Sequence, residues 1–115
     1  MKTTKAQFSR FKQSFQMWVE AFGLKEYEIY FVHEPLVGAG ATINIEEDAK
    51  AVTVAMSSDI PKVDHEHFSP EDHAKHEAIH LLLDRIRWLG ACRYISESEL
   101  QEEWERLVRV LEKVL

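Results

Sequence analysis

The chain has 115 residues, of which 45% are hydrophobic and 30% charged, as is typical of one globular domain with its own core. Its 14 lysines and arginines and 20 aspartates and glutamates give a formal net charge of -6, which argues against a nucleic-acid surface or a polybasic membrane anchor. The single cysteine excludes an internal disulfide, and no apolar segment is long enough for a membrane span or a signal peptide, so we expect one cytoplasmic domain over residues 1–115.

The first half of the chain predicts one helix followed by three strands. Aromatic residues recur at helical spacing over residues 4–21, and Gly23 is a suitable stop because glycine accepts the left-handed conformation that ends helices. Residues 27–32 are aromatic and β-branched, which favours a strand. Residues 41–46 and 51–56 alternate at period two and predict a β-hairpin.

The second half predicts two helices. Ser69 and Pro70 form a strong helix start, so a helix is expected over residues 70–88, with a stop near Gly90. Ser96 and Glu99 form a capping box that starts the last helix. The expected buried face of that helix comprises Leu100, Trp104, Leu107, Val108, Leu111, Val114 and Leu115. The order of elements indicates an α+β fold with a small antiparallel sheet.

The chemistry of the chain is concentrated in the segment HEAIH, an H-E-x-x-H motif formed by His76, Glu77 and His80. Residues four apart on a helix differ by about 40° around its axis, so both imidazoles can bind one zinc ion. Glu77 would act as general base toward the metal-bound water. The same helix is expected to turn Ile79, Leu82, Leu83 and Ile86 toward the core.

With this motif, the sequence resembles the zincin metallopeptidases, and more narrowly their small gluzincin-like, bacteriophage-type members. The matching segments are FGLKEYEIYF, HEAIHLLL and RYISESELQEEWERLVRVLE, which cover most of the chain, although only the metal motif is specific. The resemblance implies a minimal zincin-like domain that hydrolyses peptide or protein substrates with zinc. It also implies that the edge of the sheet holds an extended substrate beside the active-site helix.

A catalytic zinc site normally has three protein ligands, and the motif supplies two. No histidine follows His80, which excludes the metzincin pattern, whereas gluzincins take a glutamate from the next helix. Glu105 is the predicted third ligand, because it flanks the apolar stripe and precedes the Leu107-Val108 pair. Glu103 is the second choice, and His73, on the same helix face as the motif, is a further alternative.

Other residues near the motif have weaker assignments. Asp84 lies four residues after His80 and is a candidate to orient a ligand histidine, with Arg85 as an equally good partner. Tyr94 and Arg93 are the nearest candidates for stabilising an oxyanion. Two other interpretations remain open: a non-catalytic module stapled by zinc, and a metal-free protein whose acidic C-terminal half binds a basic partner. The oligomeric state is left open.

Overall fold

A computed structural model describes the whole chain, residues Met1–Leu115. The elements are helix α1 (Lys5–Ala21), strands β1 (Glu28–Glu34), β2 (Ala41–Glu46) and β3 (Ala51–Ser57), the short helix α2 (Lys62–His65), and helices α3 (Pro70–Ala91) and α4 (Glu97–Val114). The predicted α+β class is confirmed. None of the helices combines the length and the apolar composition that crossing a membrane requires.

Helix α1 forms where the aromatic spacing predicts it. The Thr4 hydroxyl accepts the Gln7 backbone N–H at 3.0 Å, and the Gln7 side chain accepts the Thr4 N–H at 2.8 Å, which completes a capping box. Phe11 and Phe15 are fully buried in the core. Gly23 follows the helix with φ of +70°, the left-handed conformation expected at a helix end.

The three strands form one sheet in the order β1-β3-β2. The predicted hairpin is confirmed, since β2 and β3 pair antiparallel with Ala41 opposite Met56. The sheet is mixed rather than wholly antiparallel, because β1 pairs parallel to β3. Each connection reverses the chain, so the first and third strands point the same way, and β3 takes the central position. Its Val52 and Val54 are fully buried, which suits a central strand.

Helix α3 begins as predicted, with the Ser69 hydroxyl accepting the Asp72 N–H at 3.1 Å and Pro70 in the first turn. It packs against α1 through Ala74 and Ala78, which have no exposed surface. Two of the residues expected in the core lie outside it: Ile79 is 38% exposed and Leu83 is 43% exposed. The reason is their position on the helix, since they lie about 100° and 140° around the axis from the buried Ala78.

Helix α4 begins after its predicted Ser96 cap but has a different buried face from the one expected. Leu107 is buried, whereas Trp104 is 61% exposed and Val108 is 38% exposed. Glu103 takes a position in the buried face instead, where its carboxylate is bonded to Arg106 of its own helix and paired with Arg85 of α3. With Glu103 on the buried side, the apolar stripe through Trp104 and Val108 lies partly toward solvent.

Candidate metal centre

The two histidines of the motif converge on one point beside helix α3. Their Nε2 atoms are 3.2 Å apart, and the rings are inclined by 74° with centroids 4.8 Å apart. Both side chains are exposed. The spacing of four residues on a regular helix therefore gives the arrangement that the sequence predicts for His76 and His80.

The separation of these nitrogens fits a zinc ion. A tetrahedral ion that binds two imidazole nitrogens at about 2.05 Å holds them about 3.3 Å apart. The observed 3.2 Å is close to this value. A direct hydrogen bond between the rings is the competing explanation, and it requires that one Nε2 carry a proton.

Glu77 lies between the histidines in sequence but faces the protein interior. It is 6% exposed, while its neighbours His76 and His80 are exposed. Burial raises the pKa of the Glu77 carboxyl, and the two histidines oppose this shift. A carboxylate with a raised pKa is a stronger base, which suits the predicted role in proton transfer.

A groove lies between this helix and the edge strand of the sheet. Its volume is about 540 Å³, within the range typical of ligand sites. One wall is the strand segment 41–45, and the other is formed by residues of α3. The α3 wall comprises Glu77, His80, Leu83, Asp84 and Arg87. The sheet order leaves the outer side of β2 unpaired, so the motif lies beside a free strand edge.

His73, the alternative ligand on the same helix, is held by packing. Its ring lies 5.0 Å from the ring of Phe68, and a Cβ added at Gly40 would lie 2.7 Å from its Cε1 atom. Burial lowers the pKa of His73, with a further contribution from His76. His73 lines a small cavity together with His76 and Glu77, one helical turn from the motif.

The structure does not bring a third ligand to the histidine pair. Glu105 is exposed and accepts a hydrogen bond from Gln101 at 3.3 Å. Glu103 is buried and bonded to arginines, with the Arg106 Nε atom 2.9 Å from its carboxylate. Nowhere in the chain do three histidine, cysteine, aspartate or glutamate side chains converge to hold a metal ion. The assignment of Glu105 therefore stays a prediction.

Asp84 lines the groove and belongs to a polar network that the sequence did not reveal. One carboxylate oxygen accepts the Arg87 Nε–H at 2.8 Å, and the other is buried without a partner. Burial raises the pKa of Asp84, Arg87 opposes the shift, and the nearby Glu47 reinforces it. Glu47 is 4% exposed and accepts the Tyr27 hydroxyl at 2.8 Å. Its position directly after β2 gave no sign of burial, because carboxylates beside turns are usually solvated.

The remaining sequence candidates lie away from the groove. Tyr94 is 87% exposed, and the guanidinium of Arg93 lies 5.6 Å from the centre of its ring. Neither residue lines the groove or the cavity beside His73. Arg85 pairs with Glu103 and not with Asp84, whose partner is Arg87.

A scan of protein-family models and searches of curated proteins and solved structures found no match to this chain. The functional inference therefore depends on the motif and on the geometry of its side chains.

Proposed function

We propose that the chain is a zinc-dependent peptide hydrolase. The observation that carries the proposal is the 3.2 Å separation of the Nε2 atoms of His76 and His80, which fits two bonds to one zinc ion. The third ligand is proposed to come from α4. The sequence favours Glu105, whereas Glu103 is the α4 carboxylate that is paired with α3 through Arg85.

A bound zinc ion would polarise the scissile carbonyl and lower the pKa of a water molecule. Glu77 would accept a proton from such a water and donate it to the leaving amine. Its burial supports both steps, because a desolvated carboxylate binds a proton more readily than an exposed one. The exposed histidines and the buried carboxylate thus have separate tasks: the former hold the ion and the latter transfers the proton.

The groove suggests how a substrate would bind. An extended peptide can add to the free edge of β2 through backbone hydrogen bonds, which places a peptide bond beside Glu77 and His80. Side chains of such a peptide would point alternately to the two faces of the extended sheet. Leu83, which is 43% exposed, would then contact apolar substrate side chains on the α3 wall.

The experiment combines zinc analysis with cleavage of a fluorogenic peptide library. We expect Glu77→Gln to retain one zinc ion per chain and lose cleavage, because an amide keeps the shape of the side chain but cannot accept the proton. His80→Ala should lose both zinc and cleavage. The control is Glu20→Gln, at an exposed glutamate of α1 that pairs with Lys25. It should change neither the zinc content nor the cleavage.

Three results would contradict the proposal or part of it. Full cleavage by Glu77→Gln would remove the general-base assignment. Stoichiometric zinc in a wild-type chain that cleaves no library member would favour the non-catalytic module stapled by zinc. Absence of zinc from protein prepared without a nickel column, with no uptake on titration, would leave the hydrogen bond between the two histidines as the explanation of their contact.

A further inference from the structure

The outer face of α4 carries an apolar stripe that the rest of the chain does not cover. Trp104 is 61% exposed, Val108 is 38% exposed and Leu111 is 36% exposed. Their spacing of four and then three residues places them on one line along the helix, and it is the spacing by which helices contact other helices. A large exposed aromatic residue at the start of such a line is a common anchor in protein interfaces.

The charges beside the stripe are all negative on the solvent side. At about 100° of rotation per residue, Glu112 and Glu105 lie about 70° and 90° from the line of the stripe. Arg109 is the nearest cation of α4 and lies about 130° away. The opposite flank is formed by Leu107, which is buried against the core. A molecule on the stripe therefore meets apolar side chains bordered by exposed carboxylates.

We propose that this face binds an amphipathic helix of another protein, with apolar residues toward the stripe and basic residues toward Glu105 and Glu112. Charge complementarity favours this occupant over a second copy of the chain. In an antiparallel pair of two copies, the glutamate flanks would lie on the same side of the contact and repel each other. The same carboxylates disfavour an anionic membrane surface. This inference goes beyond the proposed hydrolase activity and does not depend on it.

The test uses two synthetic helical peptides of about 20 residues, each with leucines at four- and three-residue spacing. One has lysines on the flanks and the other has glutamates at the same positions. Binding to the full chain is measured by fluorescence anisotropy, and mass spectrometry checks that the peptides stay intact. We expect the basic peptide to bind at least about tenfold more tightly than the acidic one, with an affinity that falls as salt increases.

Single substitutions locate the contact. Trp104→Ala should weaken binding of the basic peptide by at least about tenfold, and Glu112→Lys should weaken it while reducing its salt dependence. Tyr30→Ala removes another exposed aromatic side chain, 51% exposed, from β1 and should leave binding unchanged. Equal binding of both peptides, or unchanged binding by Trp104→Ala, would overturn the proposal. Dimerisation in sedimentation velocity that Trp104→Ala abolishes would also overturn it, since a second copy would then occupy the stripe.

Discussion

The third zinc ligand can be identified from the stabilisation that zinc gives to the folded chain. A ligand that binds only the folded state at 100 times its dissociation constant stabilises that state by about 2.7 kcal/mol. Mutating a residue that only hydrogen-bonds to a metal ligand already weakens metal binding by 10- to about 100-fold. We therefore take about 100-fold as the minimum weakening when one of three ligands is lost. At the same zinc concentration, only about 0.4 kcal/mol of zinc-dependent stabilisation then remains.

Without zinc, the variants Glu105→Ala and Glu103→Ala are expected to differ in their free energy of unfolding. Glu105 is exposed, so Glu105→Ala should change the free energy of unfolding by about 0.5 kcal/mol or less. Glu103→Ala removes a buried carboxylate from Arg106 and Arg85, and breaking a fully buried ion pair costs about 3–5 kcal/mol. The side chains of these arginines are 32% and 42% exposed and regain water, which lowers the expected cost to about 1–2 kcal/mol.

The readout is therefore the difference between unfolding free energies with and without zinc, measured by urea denaturation. We expect this difference to fall from about 2.7 to about 0.4 kcal/mol when the true ligand is removed, whatever the zinc-free stability of the variant. Glu99→Ala and Glu102→Ala are the controls on the same helix and should keep the full difference. If both Glu103→Ala and Glu105→Ala keep it too, α4 supplies no ligand, and loss in His73→Ala would assign the third position to α3.

Two further predictions concern the packing around the site. Gly40→Ala should destabilise the fold by about 1–3 kcal/mol, because its Cβ would lie 2.7 Å from the His73 ring, whereas Gly90→Ala, with no atom within 4 Å of its Cβ, should be neutral or stabilising by up to about 1 kcal/mol. Urea denaturation of both variants checks this, and equal effects would show that the contact with His73 is unimportant. The second prediction concerns pH. Burial lowers the pKa of His33 in the folded chain. The contribution of His33 to the free energy of unfolding is therefore fully present above the usual histidine pKa of about 6.5, and it is lost as the pH falls through the lower pKa of the folded chain. His33→Gln should reduce this loss, which urea denaturation at several pH values measures. His73 is shifted in the same direction and maintains part of the slope, so the pH profile should become shallower and not flat. An unchanged profile in His33→Gln would refute the assignment.

Local signals in the sequence predicted much of the fold and the centre of the site. The predicted caps at Ser69 and Ser96 depend on side chains that bond within three residues, and both were found where helices begin. The period-two alternation likewise placed both strands of the hairpin. The convergence of His76 and His80 is also local, since it follows from helix geometry alone.

The features that sequence reasoning missed depend on contacts between distant parts of the chain. The parallel pairing of β1 with β3 arises because β3 takes the centre of the sheet. The alternation of apolar and polar residues within a strand does not specify which strand is central. The burial of Glu47 depends on Tyr27, which lies 20 residues earlier. The exposure of Trp104 accompanies the burial of Glu103, which is paired with Arg85 of another helix.

The rotation of α4 connects the zinc site with the proposed docking surface. Glu103 and Glu105 differ by about 160° around the helix when counted the shorter way, so one faces α3 when the other faces solvent. Bringing Glu105 toward the histidines would require α4 to rotate by nearly half a turn, which would move Leu107 out of the core. Using Glu103 would require that its bonds to Arg106 and Arg85 be exchanged for a bond to the ion. It would also require the carboxylate to move around α3, because Arg85 lies five residues after His80 and therefore about 140° from it around the helix. Both choices thus need α4 to move, and the zinc-dependent stabilisation of Glu103→Ala and Glu105→Ala decides between them. Because Trp104 lies on the same helix, such a movement would shift the docking surface too, and binding of the basic peptide should then change when zinc is added.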